Sequence, residues 1–347
     1  MKEKTAMRSD VNRCWRLASR PVGLLKDSDF TFREEPIPEP KADGDILVRT
    51  LYLSVDPTQR IWLARDSYMP AVPIGDVVRA GGVGKVVRSN SPDFAPGDLV
   101  QGLLGWQDYA LLTAGKRELL PASKLPPGIP PELALSVFGV TGLTAYFGLL
   151  HVGRVKEGET VVVSGAAGAT GMMVGQIAKA KGCRAIGIAG GPEKCAWITG
   201  ELGFDTAIDY RSEDVAARLR ELCPSGIDLY FDNVGGAILD AALAELAMRG
   251  RVVLCGAIGD YTESEQPPGP KNYINLLMRR GRMEGFIVTD FLGQVDEAIS
   301  DLAGWVSSGK IKNRVDVQEG LEKAPATLNR LFTSANTGKQ LLKVADP

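Results

Sequence analysis

Residues 160–171, TVVVSGAAGATG, run stiff valines into three glycines spaced three apart, Gly165, Gly168 and Gly171. An apolar, helix-like segment follows. Apolar strand, glycine turn and helix make the unit that cradles a dinucleotide pyrophosphate. The turn must be tight, the backbone must come close to the phosphates, and the helix start offers unpaired N–H groups with a partial positive charge. The spacing departs from G-x-G-x-x-G, so taken alone it also fits a loop that only needs positive φ. Its position at the head of consecutive βα units favours the nucleotide reading. The tip of the next strand bears on which nucleotide is bound. RAIGIAGGPEKC (184–195) ends its strand in Ala189, Gly190 and Gly191, without the Asp or Glu that holds the ribose hydroxyls of NAD. Glu193 lies beyond the turn. Lys194 beside it can pair with a 2′-phosphate, and Tyr210 after the following strand can donate to the same group, so NADP is favoured over NAD. The competing reading makes Lys194 a solvated lysine at a helix start.

Other reactive residue types are sparse. His151 is the single histidine. With no C-x-x-C and no second histidine, the usual zinc sites cannot be assembled, and no metal is expected. His151 follows LTAYFGLL without a hydrolase motif, and reads as a packing or helix-end residue. The five cysteines, Cys14, Cys183, Cys195, Cys223 and Cys255, are odd in number and widely spaced, which suits reduced thiols better than a disulfide framework.

The elements that must position these groups follow from the pattern. The first third is β and loop: DILVRTLYLSV (45–55), GGVGKVVRS (81–89) and DLVQGLLGWQDYALL (98–112) are short and separated by turn residues. PASKLPPGIPPE (121–132) is proline-rich and marks a boundary. LALSVFGVTGLTAYFGLLH (133–151) predicts a helix or a helix pair. Strands then alternate with helices: TVVVSG, a helix over 171–182, a strand over 184–190, a helix near 193–203, a strand over 206–209, a helix near 213–222, a strand over 227–235, a helix near 237–248 and a strand over 250–258. Such alternation implies βαβ units and a parallel sheet. MEGFIVTDF (283–291) predicts one more strand and DEAISDLAGWVSSGKI (296–311) a helix. RVDVQ and KQLLKV return to β character and are expected to rejoin the first domain. The length of 347 residues suits two domains, and a net charge of −2 with no basic stripe disfavours nucleic acid. No run of apolar residues is long enough to span a membrane. The charged start, MKEKTAMRSDVNRCW, lacks an apolar signal core, so a cytoplasmic location is expected.

With these residues in place, the chain resembles a zinc-independent medium-chain dehydrogenase/reductase. It is most similar to the branch of leukotriene/prostaglandin reductases, alkenal double-bond reductases and curcumin reductases. The likeness rests on LYLSVDPTQR (51–60), SYMPAVPIG (67–75), GGVGKVVRSNSPDFAPGDLVQGLLGWQDYA (81–110), GLTAYFGL (142–149), SGAAGATG (164–171), IDLYFDNVGG (227–236), CGAIGDY (255–261), RMEGFIV (282–288) and NTGK (336–339). It implies an α/β fold: a GroES-like catalytic domain from 1–130 and 312–347, and a Rossmann-type doubly wound sheet binding NADP(H) over 131–311, with the active site in a cleft. It also implies a homodimer paired through Rossmann edge strands. The family's cofactor contacts fall on Gly168, Ala169, Thr170 and Gly171 at the pyrophosphate and on Lys194 and Tyr210 at the 2′-phosphate. Asn233, Cys255, Tyr261, Phe286 and Val288 fall along the cofactor and cleft, and Asn336 at the nicotinamide end. For Cys255, a small buried hydrophobe at a strand end is an equally good reading.

The implied reaction is hydride transfer from NADPH to the β-carbon of an α,β-unsaturated ketone or aldehyde, with an enolate oxygen stabilised by a hydroxyl and no metal. Tyr52, Tyr68, Tyr109 and Tyr261 are the candidate donors, with Tyr68 of the SY-x-P stretch first among them and Tyr261 the better cofactor contact. The family's V-D-P-Y-M-R is VDPTQR here, with Thr58 and Gln59 in the altered positions and Arg60 retained, so a more polar, roomier pocket is expected. Thr141 stands where relatives often carry proline, which would put a hydroxyl near the nicotinamide. NADPH quinone oxidoreduction and NADPH binding without turnover are the alternatives.

Overall fold

The computed structural model describes residues 11–116, 120–263 and 268–346. Most of the charged start read for a signal core, residues 1–10, lies outside them. The chain divides into two compact units. Met1–Pro131, Val317–Asn329 and Leu341–Pro347 form one, and Glu132–Asp316 with Arg330–Gln340 form the other.

The first unit opens with an antiparallel pair, β1 (Val11–Leu17) and β2 (Phe30–Pro36). β3 (Asp45–Ser54) is the longest strand of the following sheet, and nearly every one of its residues is buried. Helix α1 (Thr58–Ala64) follows it, then β4 (Gly81–Ser89), β5 (Leu99–Leu103), β6 (Tyr109–Thr113) and β7 (Ser123–Lys124). β3 pairs antiparallel with both β4 and β6. This is the β-rich, antiparallel sheet expected from the short strands and frequent turns.

The second unit starts with α2 (Pro131–Ala134) and α3 (Val140–Phe147), then a wider turn at Gly148–Val152. The helix pair expected over 133–151 is thus short and ends irregularly. His151 sits in that wide turn, its ring 5.1 Å from Phe147, 5.8 Å from Phe291 and 5.9 Å from Tyr146. It is a packing histidine.

Six parallel strands follow: β8 (Thr160–Ser164), β9 (Arg184–Ala189), β10 (Thr206–Asp209), β11 (Ile227–Asp232), β12 (Leu246–Leu254) and β13 (Arg282–Gly285). Between them lie α4 (Ala169–Ala180), α5 (Pro192–Gly200), α6 (Val215–Leu222), α7 (Gly236–Ala244) and α8 (Ile274–Arg279). The sheet order is β10-β9-β8-β11-β12-β13, so the winding reverses between β8 and β11. In such sheets ligands bind beyond the carboxyl ends of the strands at the reversal. Val161, Val162 and Val163 are fully buried because helices cover both faces of the central strand.

Three expectations need correction. MEGFIVTDF is a strand only to Gly285; Val288–Gln294 forms 3-10 turns, and Phe286, Val288 and Phe291 pack against the hydrophobic core from that coil. The helix expected to 248 ends at Ala244, and β12 begins at Leu246 because pairing with Ile227 draws that stretch into the sheet. Helix α8 had no counterpart in the sequence reading. Beyond α9 (Val295–Ser307) come β14 (Val315–Glu319), α10 (Ala324–Phe332) and β15 (Lys339–Lys343). β15 pairs antiparallel with β3. The tail is nonetheless divided, since Arg330–Gln340 belongs to the second unit: the Gly338 N–H donates to the Ala167 carbonyl at 2.8 Å.

Among the described residues no helix is long and apolar enough to cross a membrane. Packing of α4 against the sheet depends on one missing side chain. A Cβ on Gly175 would lie 1.8 Å from the Phe204 ring, so Gly175→Ala should destabilise the protein by about 1–3 kcal/mol. Urea unfolding checks this: an unchanged midpoint would show that Phe204 moves aside freely.

Candidate active site

β8 enters the turn at Ser164, and Gly165 adopts φ +60°, a conformation side chains resist. Gly168 then caps α4 in extended conformation and, having no side chain, makes no cap hydrogen bond of its own. The N–H groups of Ala169, Thr170 and Gly171 therefore begin α4 without an intrahelical partner, as the first turn of any helix must. A Cβ on Gly171 would stand 2.2 Å from the Gly165 carbonyl oxygen. The helix start is thus folded directly onto the turn, which is the arrangement that receives a phosphate.

The end of β11 braces this turn. The Asp232 carboxylate is buried and accepts from Ser164 Oγ at 3.0 Å, Tyr230 Oη at 2.9 Å and the N–H groups of Val234 and Gly235 at 3.1 Å each. Burial raises its pKa despite these donors. Asn233 gives its side-chain amide to the Ser164 carbonyl at 2.7 Å, and its backbone N–H donates to Ser164 Oγ at 2.9 Å. Asn233 therefore joins the tips of β8 and β11.

At the tip of β9 the peptide turns through Gly191 at φ +96° into α5. A Cβ on Gly190 would lie 2.8 Å from Tyr210 Oη. A side chain at that position would have to displace the half-exposed phenol of Tyr210. Asp209, at the end of β10, spends its carboxylate on the N–H groups of Gly191 and Arg211 and on Ser212, and the Gly191 bond leads in holding its pKa low. Lys194 Nζ donates to the Ser334 carbonyl at 2.8 Å, and Tyr210 Oη meets Ser334 Oγ at 3.1 Å. Burial first, then the positive charge of Arg211, lowers the Lys194 pKa. Arg330 adds to the same repulsion, while Asp316, its ion-pair partner at 2.8 Å, opposes it.

The structure thus joins Lys194 and Tyr210 through Ser334, a residue the sequence reading missed, along with Arg211. Ser334 holds φ +55°, and nothing in SANTG announces that it folds back on α5. Arg211, next to Tyr210, was legible as a further cation.

Asn336 lies between Ser334 and Gly338 in the segment running past the glycine turn, and its amide donates to the Gly338 carbonyl at 3.0 Å. The Cys255 N–H is held by the Asp232 carbonyl at 2.9 Å, and burial pushes its thiol up to about 12. Tyr261 turns its hydroxyl back to accept from the Ala257 N–H at 3.1 Å, closing the loop after β12. Phe286 presses on Gly148, where a Cβ would meet its ring at 2.6 Å. Val288 is partly buried against the same core. The Thr141 hydroxyl, expected near a nicotinamide, is buried and bonded to the Ser136 carbonyl at 3.2 Å.

In the first unit Tyr68 is half-exposed, and its hydroxyl meets Thr58 Oγ1 at 2.7 Å. Burial of the phenol raises its pKa. Gln59, expected to make a pocket more polar, is buried: its amide donates to the Ser54 carbonyl at 3.1 Å. Arg60 points inward too, donating to the carbonyls of Pro21 at 2.9 Å and Gly23 at 3.1 Å. Tyr52 is buried in the sheet, and the Tyr109 backbone N–H donates to Asn12 Oδ1 at 2.9 Å.

Two family models match the chain: the N-terminal domain of oxidoreductase over residues 13–120, and zinc-binding dehydrogenase over 169–305. The chain is 42% identical to an NADPH-dependent curcumin reductase of Escherichia coli (strain K12), over 96% of this chain and 97% of that protein. It belongs to the medium-chain dehydrogenase/reductase family. It is 40% identical to prostaglandin reductase 1 of Rattus norvegicus, over 95% of this chain and 98% of that one. A solved structure of CurA in complex with NADPH from Vibrio vulnificus superposes with TM-score 0.90 at 41% identity, covering 96% of this chain and all of that one. These matches place the chain in the zinc-independent branch of the family. The donor set does not fit zinc, whatever the second model's name: among the described residues no three His, Cys, Asp or Glu side chains gather where they could hold a metal.

A thiol pushed to about 12 is almost wholly protonated at neutral pH, and its thiolate grows only as pH rises toward that value. Alkylation of Cys255 by iodoacetamide near neutral pH should therefore run roughly a thousandfold slower than that of a free cysteine. Peptide mass spectrometry over a time course checks this, and rapid labelling would show an activated thiol.

Proposed function

We propose that this chain is an NADPH-dependent reductase of the C=C bond in α,β-unsaturated ketones and aldehydes. The observation that carries the reading is the junction of Lys194, Tyr210 and Ser334 beside a bare strand tip whose space the Tyr210 hydroxyl occupies. A 2′-phosphate placed there meets an ammonium, a guanidinium neighbour and two hydroxyls, and it relieves the repulsion among the cations. The relatives named for NADPH-dependent curcumin reduction and prostaglandin reduction support the substrate class.

In this reading Gly168–Gly171 hold the pyrophosphate on the N–H groups of α4, and Asn233 and Asp232 keep the turn in shape. Bound NADPH supplies the hydride that the substrate's β-carbon receives. The charge that then collects on the substrate oxygen needs a hydrogen-bond donor, and the Tyr68 hydroxyl fills that role. Cys255, Tyr261, Phe286 and Val288 shape the cofactor's surroundings without doing chemistry; a thiol held protonated suits that part. The first unit is the catalytic domain and the second binds the cofactor. A reducing compartment such as the cytoplasm suits five free thiols.

The chain also works as a homodimer. β13 is the last strand of its sheet, and Met248, Ile274, Leu277, Met278 and Met283 are exposed on β12, α8 and β13 around that edge. An unpaired edge with apolar neighbours is a template for pairing with a second copy.

NADPH consumption with a panel of enones, enals and quinones tests the activity; turnover of quinones alone would overturn the substrate class. Lys194→Ala should weaken NADPH by about tenfold or more, the worth of a charged hydrogen bond, and leave NADH little changed. Equal losses in isothermal titration would remove Lys194 from the phosphate site. Sedimentation equilibrium should return twice the chain mass of 37.1 kDa, and a monomer would exclude the edge pairing.

A further inference from the structure

We propose that Thr58 is the positioning residue of the Tyr68 hydroxyl, holding the phenol oxygen in place and donating to it when the phenol donates to substrate. The inference rests on the reading of Tyr68 given above and adds a second residue to it.

Thr58 and Trp62 are four residues apart on α1, so they share one helix face. Tyr68 lies along that face. Its ring meets Trp62 edge-on at 6.2 Å, and its oxygen meets Thr58 Oγ1 at 2.7 Å. The Arg79 guanidinium lies 5.6 Å from the centre of the Trp62 ring and is itself tied to the Pro70 carbonyl at 3.0 Å. The helix start is fixed by Gln59, whose side chain reaches back to Ser54. Ring and hydroxyl of Tyr68 are thus held by two side chains on a rigid element.

Folding does not require this bond. Tyr68 is 46% exposed, and water would satisfy both hydroxyls at little cost. Its geometry has a chemical use. A threonine hydroxyl both donates and accepts. While Tyr68 donates to a substrate oxygen that is gaining charge, Thr58 can donate to the phenol oxygen. A phenol that accepts one hydrogen bond is a stronger donor of the next. The raised pKa of Tyr68 keeps the phenol protonated and able to donate, and the Thr58 contact opposes that rise. The threonine is therefore a working part of this site.

Thr58→Val removes the hydroxyl and keeps the side-chain shape; Thr58→Ser restores the hydroxyl. With a simple alkyl enone and saturating NADPH, Thr58→Val should lower kcat about three- to tenfold, the worth of one hydrogen bond, with the KM for NADPH unchanged. Thr58→Ser should return most of the loss. In a Tyr68→Phe background Thr58→Val should cost nothing further. In the protein without nucleotide, tyrosinate absorbance assigned by difference from Tyr68→Phe should titrate at higher pH in Thr58→Val. If Tyr68→Phe lowers kcat but Thr58→Val changes neither kcat nor the titration, or the two losses simply add, the role of Thr58 is overturned while that of Tyr68 stands. If Tyr68→Phe itself turns over normally, both are overturned.

Discussion

The close approach of backbone to backbone at the glycine turn is the constraint on which the second unit depends. The Gly165 carbonyl lies where a side chain on Gly171 would be, so α4 can start only if that position is bare. The same fold brings the uncapped N–H groups of α4 to the point where the sheet order reverses. Everything else at that end serves the turn. Asp232 collects four donors beneath it, Asn233 ties two strand tips together, and Gly338 adds an N–H to Ala167 from the far end of the chain. All four donors converge on one oxygen, Oδ1, of a buried carboxylate whose other oxygen has no hydrogen-bond partner among the described residues, so losing any of the four leaves that group less compensated. The turn and its underlying network therefore form one cooperative object.

The tips of β9 and β10 follow a different rule, that of like charges held near one another. Lys194 is desolvated and faces Arg211, and Arg330 is kept near it by its pairing with Asp316. Asp209 stands at a strand tip, but its oxygens are engaged by Gly191, Arg211 and Ser212. Lys194 stays close to the charges of Arg211 and Arg330, and the bare Gly190 leaves its space to Tyr210.

In the first unit the substituted family motif VDPTQR has turned partly inward. Gln59 ties the start of α1 back to the end of β3 at Ser54, and Arg60 caps the carbonyls of Pro21 and Gly23 inside the domain. Of the three altered or retained residues, only Thr58 meets a phenol, that of Tyr68. The polar substitutions therefore do not all enlarge one pocket: one residue fixes the helix start, and the other addresses a phenol.

Much of this was readable from local pattern. Valine runs broken by glycine turns identified the parallel sheet, since a strand covered on both faces must be apolar throughout, and the spacing of Gly165, Gly168 and Gly171 marked the tight turn at the head of α4. Missing acidic residues at the tip of β9 pointed to a phosphorylated ribose, and the single histidine with no C-x-x-C left the usual zinc sites short of ligands. Long-range contacts were not readable. The return of residues 330–340 to the second unit, the meeting of Ser334 with Lys194 and Tyr210, the inward turn of Gln59 and the break in the strand expected over 283–291 each depend on partners remote in the chain. Periodicity records which face of an element is buried, because burial acts on each residue separately. Which distant residue completes a hydrogen bond or ion pair is decided only when the packed elements fix distances to within an ångström, and no local pattern carries that information.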